Sequence, residues 1–144
     1  MHFLHTLAKY KINKIYHNIG VPNKAPIKNK YDYFIIIPCY AEQDYLSNTL
    51  NTIKQQKQEL LDKLLIVIVI NNATDANIRI KNNNLSTYEN LLHTTYNFEI
   101  IIIDCFSSIN ALDPKLAGVG IARKIGCDYC IQYASPDSLF CSVD

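Results

Sequence analysis

The chain contains no tryptophan, one methionine, 4 glycines and 5 prolines in 144 residues. So little glycine and proline excludes a collagen-like repeat and a flexible low-complexity chain. The 49% hydrophobic content supplies apolar mass for the core of one domain. Charge is thin as well, at 19% of residues with a formal net of +1, so there is no general electrostatic case for nucleic acid as a partner. Apolar runs are short. Leu64–Ile70 is among the longest, far below the roughly 20 residues a bilayer-spanning helix needs. The leader lacks the apolar core and small-residue cleavage site of a secretory signal. Five cysteines (Cys39, Cys105, Cys127, Cys130, Cys141) make an odd count without a disulfide-framework spacing. Their reading is reduced thiols in a cytoplasmic protein.

Acidic residues are missing altogether from residues 1–31, which hold six lysines and three histidines. The remaining 8 basic and 13 acidic residues leave the body at −5. Within this leader, Phe3, Leu4, Leu7, Ile12, Ile15 and Ile19 recur at mostly helical spacing around Lys9, Lys11 and Lys14. Such a helix packs on its own domain or lies on an anionic membrane surface. The modest stripe favours the first, with peripheral membrane contact through residues 1–20, at the inner face of the cytoplasmic membrane, as the alternative. Gly20 and Pro22 end the helix, and residues 21–31 read as a linker. The division expected is therefore a leader at 1–31 and a domain at 32–144.

The body alternates apolar runs with helical patterns. Tyr33–Pro38, Leu64–Ile70, Glu99–Asp104 and Ser138–Val143 read as buried strands. A helix is expected over 42–60, two short ones around Ile78–Ile80 and Tyr88–His93, and another from Asp113-Pro114 to about Tyr133. Strands separated by helices imply right-handed β-α-β units, hence an α/β fold with a Rossmann-like parallel sheet and flanking helices.

In such a sheet ligands bind beyond the carboxyl ends of the strands. Those ends carry Cys39, Tyr40 and Glu42 after the first strand and Asn71 and Asn72 after the second. Asp104 follows the third and Asp144 the fourth. Asn and Asp also favour strand-to-helix turns for local reasons, so it is their joint occurrence that points to a crevice. The first turn, IIIPCYAEQ, has no glycine for a dinucleotide or P-loop phosphate cradle. A nucleotide here would be held by side chains and a metal.

Four segments together resemble the family 2 glycosyltransferases. Phe34–Glu42 (FIIIPCYAE) is similar to that family's opening strand, and Ile66–Asp75 (IVIVINNATD) to its second strand and turn. Gly118–Gly126 (GVGIARKIG) resembles its G-x-x-x-A-R-N-x-G helix, and Ser138–Asp144 the strand reaching the first carboxylate of its D-x-D motif. The resemblance implies a GT-A fold that transfers a sugar from a nucleotide-sugar donor to a glycan, lipid or protein acceptor. Pro38, Tyr40 and Glu42 would line the base and ribose pocket, with Asn71 and Asn72 beside the nucleobase. Arg123 would reach the donor nucleotide, and Asp144 would help hold Mg²⁺ or Mn²⁺ on the phosphates. Catalytic residues are not assigned.

The sequence departs from the family pattern at several points. Asn71 stands where relatives have Asp, Lys124 where they have Asn, and Leu116 where an Asn often precedes the Gly. The second D-x-D carboxylate would fall beyond Asp144. An incomplete GT-A fold is therefore expected, the donor-binding part of an enzyme and inactive by itself. The alternative is a non-catalytic nucleotide-sugar-binding or degenerate α/β module. Cys127 and Cys130 form a C-x-x-C, but no second pair follows at zinc spacing and the motif lies well inside a helix, so packing is its expected role.

Overall fold

Strand β3 (Leu64–Asn71) organises the molecule: all eight of its residues are buried. A run of leucine, isoleucine and valine with no polar alternation has to be covered on both faces, and it is. Leu65, Val67 and Val69 belong to one apolar cluster, and Leu64, Ile66, Ile68 and Ile70 to the other. The computed structural model describes Thr6, Lys9 and residues 19–143. The leader helix read over residues 2–19 and the expected metal carboxylate Asp144 thus lie largely or wholly outside the described residues.

Five strands form one sheet: β1 (Val21–Pro22), β2 (Tyr31–Cys39), β3, β4 (Glu99–Cys105) and β5 (Ala134–Ser142), in the order β1-β4-β3-β2-β5. The last four run parallel, and β1 pairs antiparallel with β4. Helices α1 (Gln43–Lys54), α2 (Gln58–Leu61) and α3 (Ile78–His93) pack on one face through Leu46, Leu50, Leu61 and Leu91. Helix α4 (Val119–Ile131) covers the other through Ala122, Ile125 and Cys130. This is a Rossmann-like α/β fold, as the alternation of elements requires.

The chain moves outward from β2 to β3 to β4, then returns through α4 to place β5 on the other side of β2. The direction of winding reverses between β2 and β5, which is where open parallel sheets form their ligand crevice. Helix α4 lies close to the sheet because Gly126 allows it. A Cβ there would stand 2.5 Å from Ile36 Cγ2 and 3.1 Å from Val69 Cγ2.

Four local expectations are corrected. The helix read over 42–60 is interrupted between Lys54 and Gln58 and becomes α1 and α2. The two short helices in 74–96 are one continuous α3, capped by Asn77 Oδ1 accepting from Ile80 N at 3.1 Å. Its asparagine run weakens helix propensity, and tertiary bonds to Asn84 offset that. Asp113-Pro114 opens an isolated turn, Asp113 O accepting from Leu116 and Ala117 N. The helix proper waits for Gly118, whose φ of 153° breaks the spiral and disfavours any side chain. The linker 21–31 contains β1 and is tied down: Asn23 Oδ1 accepts from Ile102 N at 2.8 Å.

Candidate functional site

Beyond the carboxyl ends of β2 and β3 lies a cavity of about 440 Å³. Pro38, Tyr40 and Glu42 come to it from the end of β2, and Asn71 from the end of β3. Asp75 adds a carboxylate from the following turn, and Gly118 and Val119 close the wall at the start of α4. Pro38 is buried, while Tyr40, Glu42 and Asp75 are exposed. Glu42 is the residue before α1, but its side chain makes no capping bond, so its carboxylate is not spent on the helix. Among the described residues the lining holds carboxylates and neither lysine nor arginine, so that part of the wall is acidic.

Beneath it three amides brace the turns. Asn71 Nδ2 donates to Cys39 O at 3.1 Å and Val69 O at 3.4 Å. Asn72 Nδ2 donates to Ala73 O and Phe106 O, at 2.9 and 3.3 Å. Asn84, on α3, donates to Asn72 Oδ1 at 2.8 Å and Asn71 O at 3.0 Å, and accepts from Ala41 N at 2.9 Å. Ala41 needs that bond: its φ of 52° is unfavourable for a residue with a Cβ, and it sits between Tyr40 and Glu42. All three amides are buried, where an unmade bond is costly. A single side chain from α3 thus holds the turn that carries Tyr40 and Glu42 against the turn that carries Asn71.

The sequence-predicted residues divide accordingly. Pro38, Tyr40, Glu42 and Asn71 meet at one cavity. Asn72 lies under it, fully buried, with its Nδ2 committed to backbone carbonyls and its Oδ1 to Asn84. Arg123 is not in the lining; its Nε donates to Ser142 Oγ at 2.7 Å, at the end of β5. Asp104, at the end of β4, serves its own turn: Oδ1 accepts from Phe106 N and Ser107 N, both at 2.9 Å, and Oδ2 from Asn110 Nδ2 at 3.0 Å. Burial raises its pKa, but those donors outweigh it and hold the carboxyl below its usual range.

Two residues of the site lie outside the sequence reading. Asn84 stands in a run of three asparagines, and its one legible signal is its spacing to Thr87 and Leu91, the other buried residues of α3. Asp75 lies in the turn after β3, where an aspartate is common for local reasons, so the sequence does not set it apart. The C-x-x-C sits inside α4, with Cys130 buried and Cys127 half-buried. Burial pushes both thiols up, against reactivity.

Among the described residues no group of three or more His, Cys, Asp or Glu gathers as a metal site. Asp144, the carboxylate expected to hold a cation, lies outside the described residues. No described helix is long and apolar enough to cross a membrane. Set against known proteins, the chain matches no family model, no curated protein sequence and no solved structure.

Proposed function

We propose that the chain binds a nucleotide-sugar donor in the manner of a family 2 glycosyltransferase, with the nucleoside in the cavity beyond β2 and β3. The observation that carries this reading is convergence. Pro38, Tyr40, Glu42 and Asn71, drawn from two separate sequence segments, line one cavity near the reversal of the winding. The exposed Tyr40 offers an aromatic face to a base, and the Glu42 and Asp75 carboxylates offer acceptors to ribose hydroxyls. Phosphates are disfavoured against those carboxylates. They are better served next to β5, where Arg123 bonds Ser142 and the chain leads on to Asp144. Donor binding is the part of the reaction covered by this reading; no residue is assigned to acceptor activation.

Calorimetric titration of nucleotide sugars with and without Mn²⁺ tests it. Saturable binding that weakens about tenfold or more in Tyr40→Ala, and that weakens on metal removal or in Asp144→Ala, is the expected result. Absence of binding, or binding indifferent to all three changes, overturns it. The non-catalytic module remains the second reading, since the resemblance carries donor-side residues and nothing for the acceptor. A sugar-transfer assay on a donor that binds separates the two.

A further inference from the structure

We infer that β5 is the contact edge of a two-fold symmetric homodimer, in which the strand pairs antiparallel with its counterpart in a second copy of this chain. The two edges of the sheet are built differently. At one, β1 is two residues long and ends in Pro22, which has no N–H to offer a further strand. At the other, β5 runs for nine residues and has no neighbour on its outer side among the described residues. Val143 N donates to Ile36 O at 3.0 Å. By the two-residue period of a strand, Leu139 and Cys141 then also turn their backbone groups inward to β2, and Phe140 and Ser142 turn theirs outward. Sheets ordinarily guard such an edge with charge or proline. Pro136 and Asp137 guard the first half of β5, but the stretch 138–142 (SLFCS) carries neither.

That stretch is matched to itself. Antiparallel pairing about a two-fold axis sets each residue against its mirror position, and SLFCS has the same character read from either end. Centred on Phe140, the pairing puts Ser138 opposite Ser142, Leu139 opposite Cys141 and the two Phe140 residues opposite each other. About four to six backbone hydrogen bonds then close across the axis. Both faces gain cover. Phe140 stacks on Phe34 at 4.7 Å yet is 42% exposed, and the second copy's ring meets its open side. On the opposite face Leu139, 64% exposed, stands at an apolar cavity of about 700 Å³ lined also by Ile35, Ile53 and Leu60. The axis brings Leu139 of each copy beside Cys141 at the other copy's cavity. Charge permits the approach, because a formal net of +1 gives two copies little long-range repulsion. The strip is short, so a dissociation constant of about 1–100 µM is expected. Pairing consumes the open edge of both copies and therefore stops at two.

Sedimentation equilibrium of the full chain under reducing conditions, across about 1–200 µM, tests the inference. The expected result is a mass that rises with concentration from 16.5 kDa towards twice that value and no further. Leu139→Lys should weaken association about tenfold or more. Because Leu139 is exposed, the variant should fold as the parent does, with an unchanged circular dichroism spectrum. Cys141 reports the register independently, as it is the one exposed cysteine of the five. In the pairing about Phe140 the two Cys141 residues lie about 8 Å apart on one face, within reach of bismaleimidoethane. That reagent should give a covalent dimer from the parent chain and none from Cys141→Ser. A chain monomeric throughout overturns the inference and leaves the edge to a different polypeptide. Association indifferent to Leu139→Lys, crosslinking that survives Cys141→Ser, or growth beyond a dimer overturns it as well. None of these outcomes bears on nucleotide binding, which the titration above tests separately.

Discussion

The two ends of the sheet use polar groups in opposite ways. At the amino-terminal end they satisfy one another. Tyr31 Oη donates a short bond to Glu99, whose other oxygen accepts from Ile27 N at 2.7 Å. Lys30 Nζ reaches Ala134 O at 2.9 Å, and Ser138 Oγ reaches Tyr31 O at 2.7 Å. At the carboxyl-terminal end the buried amides brace the turns, while the side chains of Glu42, Asp75 and Asn71 line a cavity. Closed networks spend their polar groups on the fold. Open ones sacrifice some of that stability for a site, the pattern expected where function departs from optimal folding. The difference sets the carboxyl-terminal end apart as the candidate site without appeal to any motif.

The comparison is broken most severely at Asn84. Asn84→Leu conserves approximate volume but leaves Ala41 N, Asn72 Oδ1 and Asn71 O without their partner. At about 1–3 kcal/mol for each buried group left unpaired, partly relieved by relaxation, a loss of about 3 kcal/mol in urea unfolding is expected. Nucleotide affinity should fall by more than unfolding explains, because the Tyr40–Glu42 turn loses its anchor. A stability loss under about 1 kcal/mol, or full affinity in the folded fraction, would show that this network does not position the cavity.

Tyr31→Phe makes the matching change at the closed end. It removes the hydroxyl that bridges Lys28 N and Glu99 and leaves the ring against Phe34. About 1 kcal/mol of destabilisation is expected, since Glu99 keeps its bond from Ile27 N and Lys28 N is near solvent. Ligand affinity should not change. A variant with weakened nucleotide binding would contradict the division between the ends.

Much of this was legible in the sequence, for identifiable reasons. An uninterrupted run such as LLIVIVI can be satisfied only by cover on both faces, and that requirement fixes the sheet and its class. Strand ends follow, so Tyr40, Glu42 and Asn71 could be assigned to one edge. Element boundaries were less legible because they turn on single backbone states: Gly118 at φ 153° delays α4 past an otherwise good Asp-Pro start. Asn84 was invisible for another reason. Nothing distinguishes it from Asn82 and Asn83 except its angle around the helix, and its partners are backbone atoms of distant turns. Asn71 illustrates the same limit. Its identity does not say what its amide bonds, and only the positions of the Cys39 and Val69 carbonyls decide that its Nδ2 braces the turns.

The smallest expected effect lies at Asp104, which belongs to the functional end of the sheet by position and to the closed kind of network by its bonds. Its carboxylate is held below the usual range because the N–H groups of Ser107 and Phe106 and the Asn110 amide outweigh the burial that opposes ionisation. With the folded pKa depressed, the stabilisation is complete above the unfolded value of about 4 and is lost as pH falls through the lower folded value. Unfolding midpoints should therefore drop more steeply below about pH 4 in the parent chain than in Asp104→Asn. The variant should be modestly less stable at pH 7, by an amount reduced because the carboxylate is partly solvated. Ligand binding at pH 7 should be unaltered. Parallel pH profiles for the two chains would mean that the turn holds together without the charge. A loss of nucleotide binding in Asp104→Asn would extend the open end of the sheet to β4 and enlarge the site beyond the four residues that line it from β2 and β3.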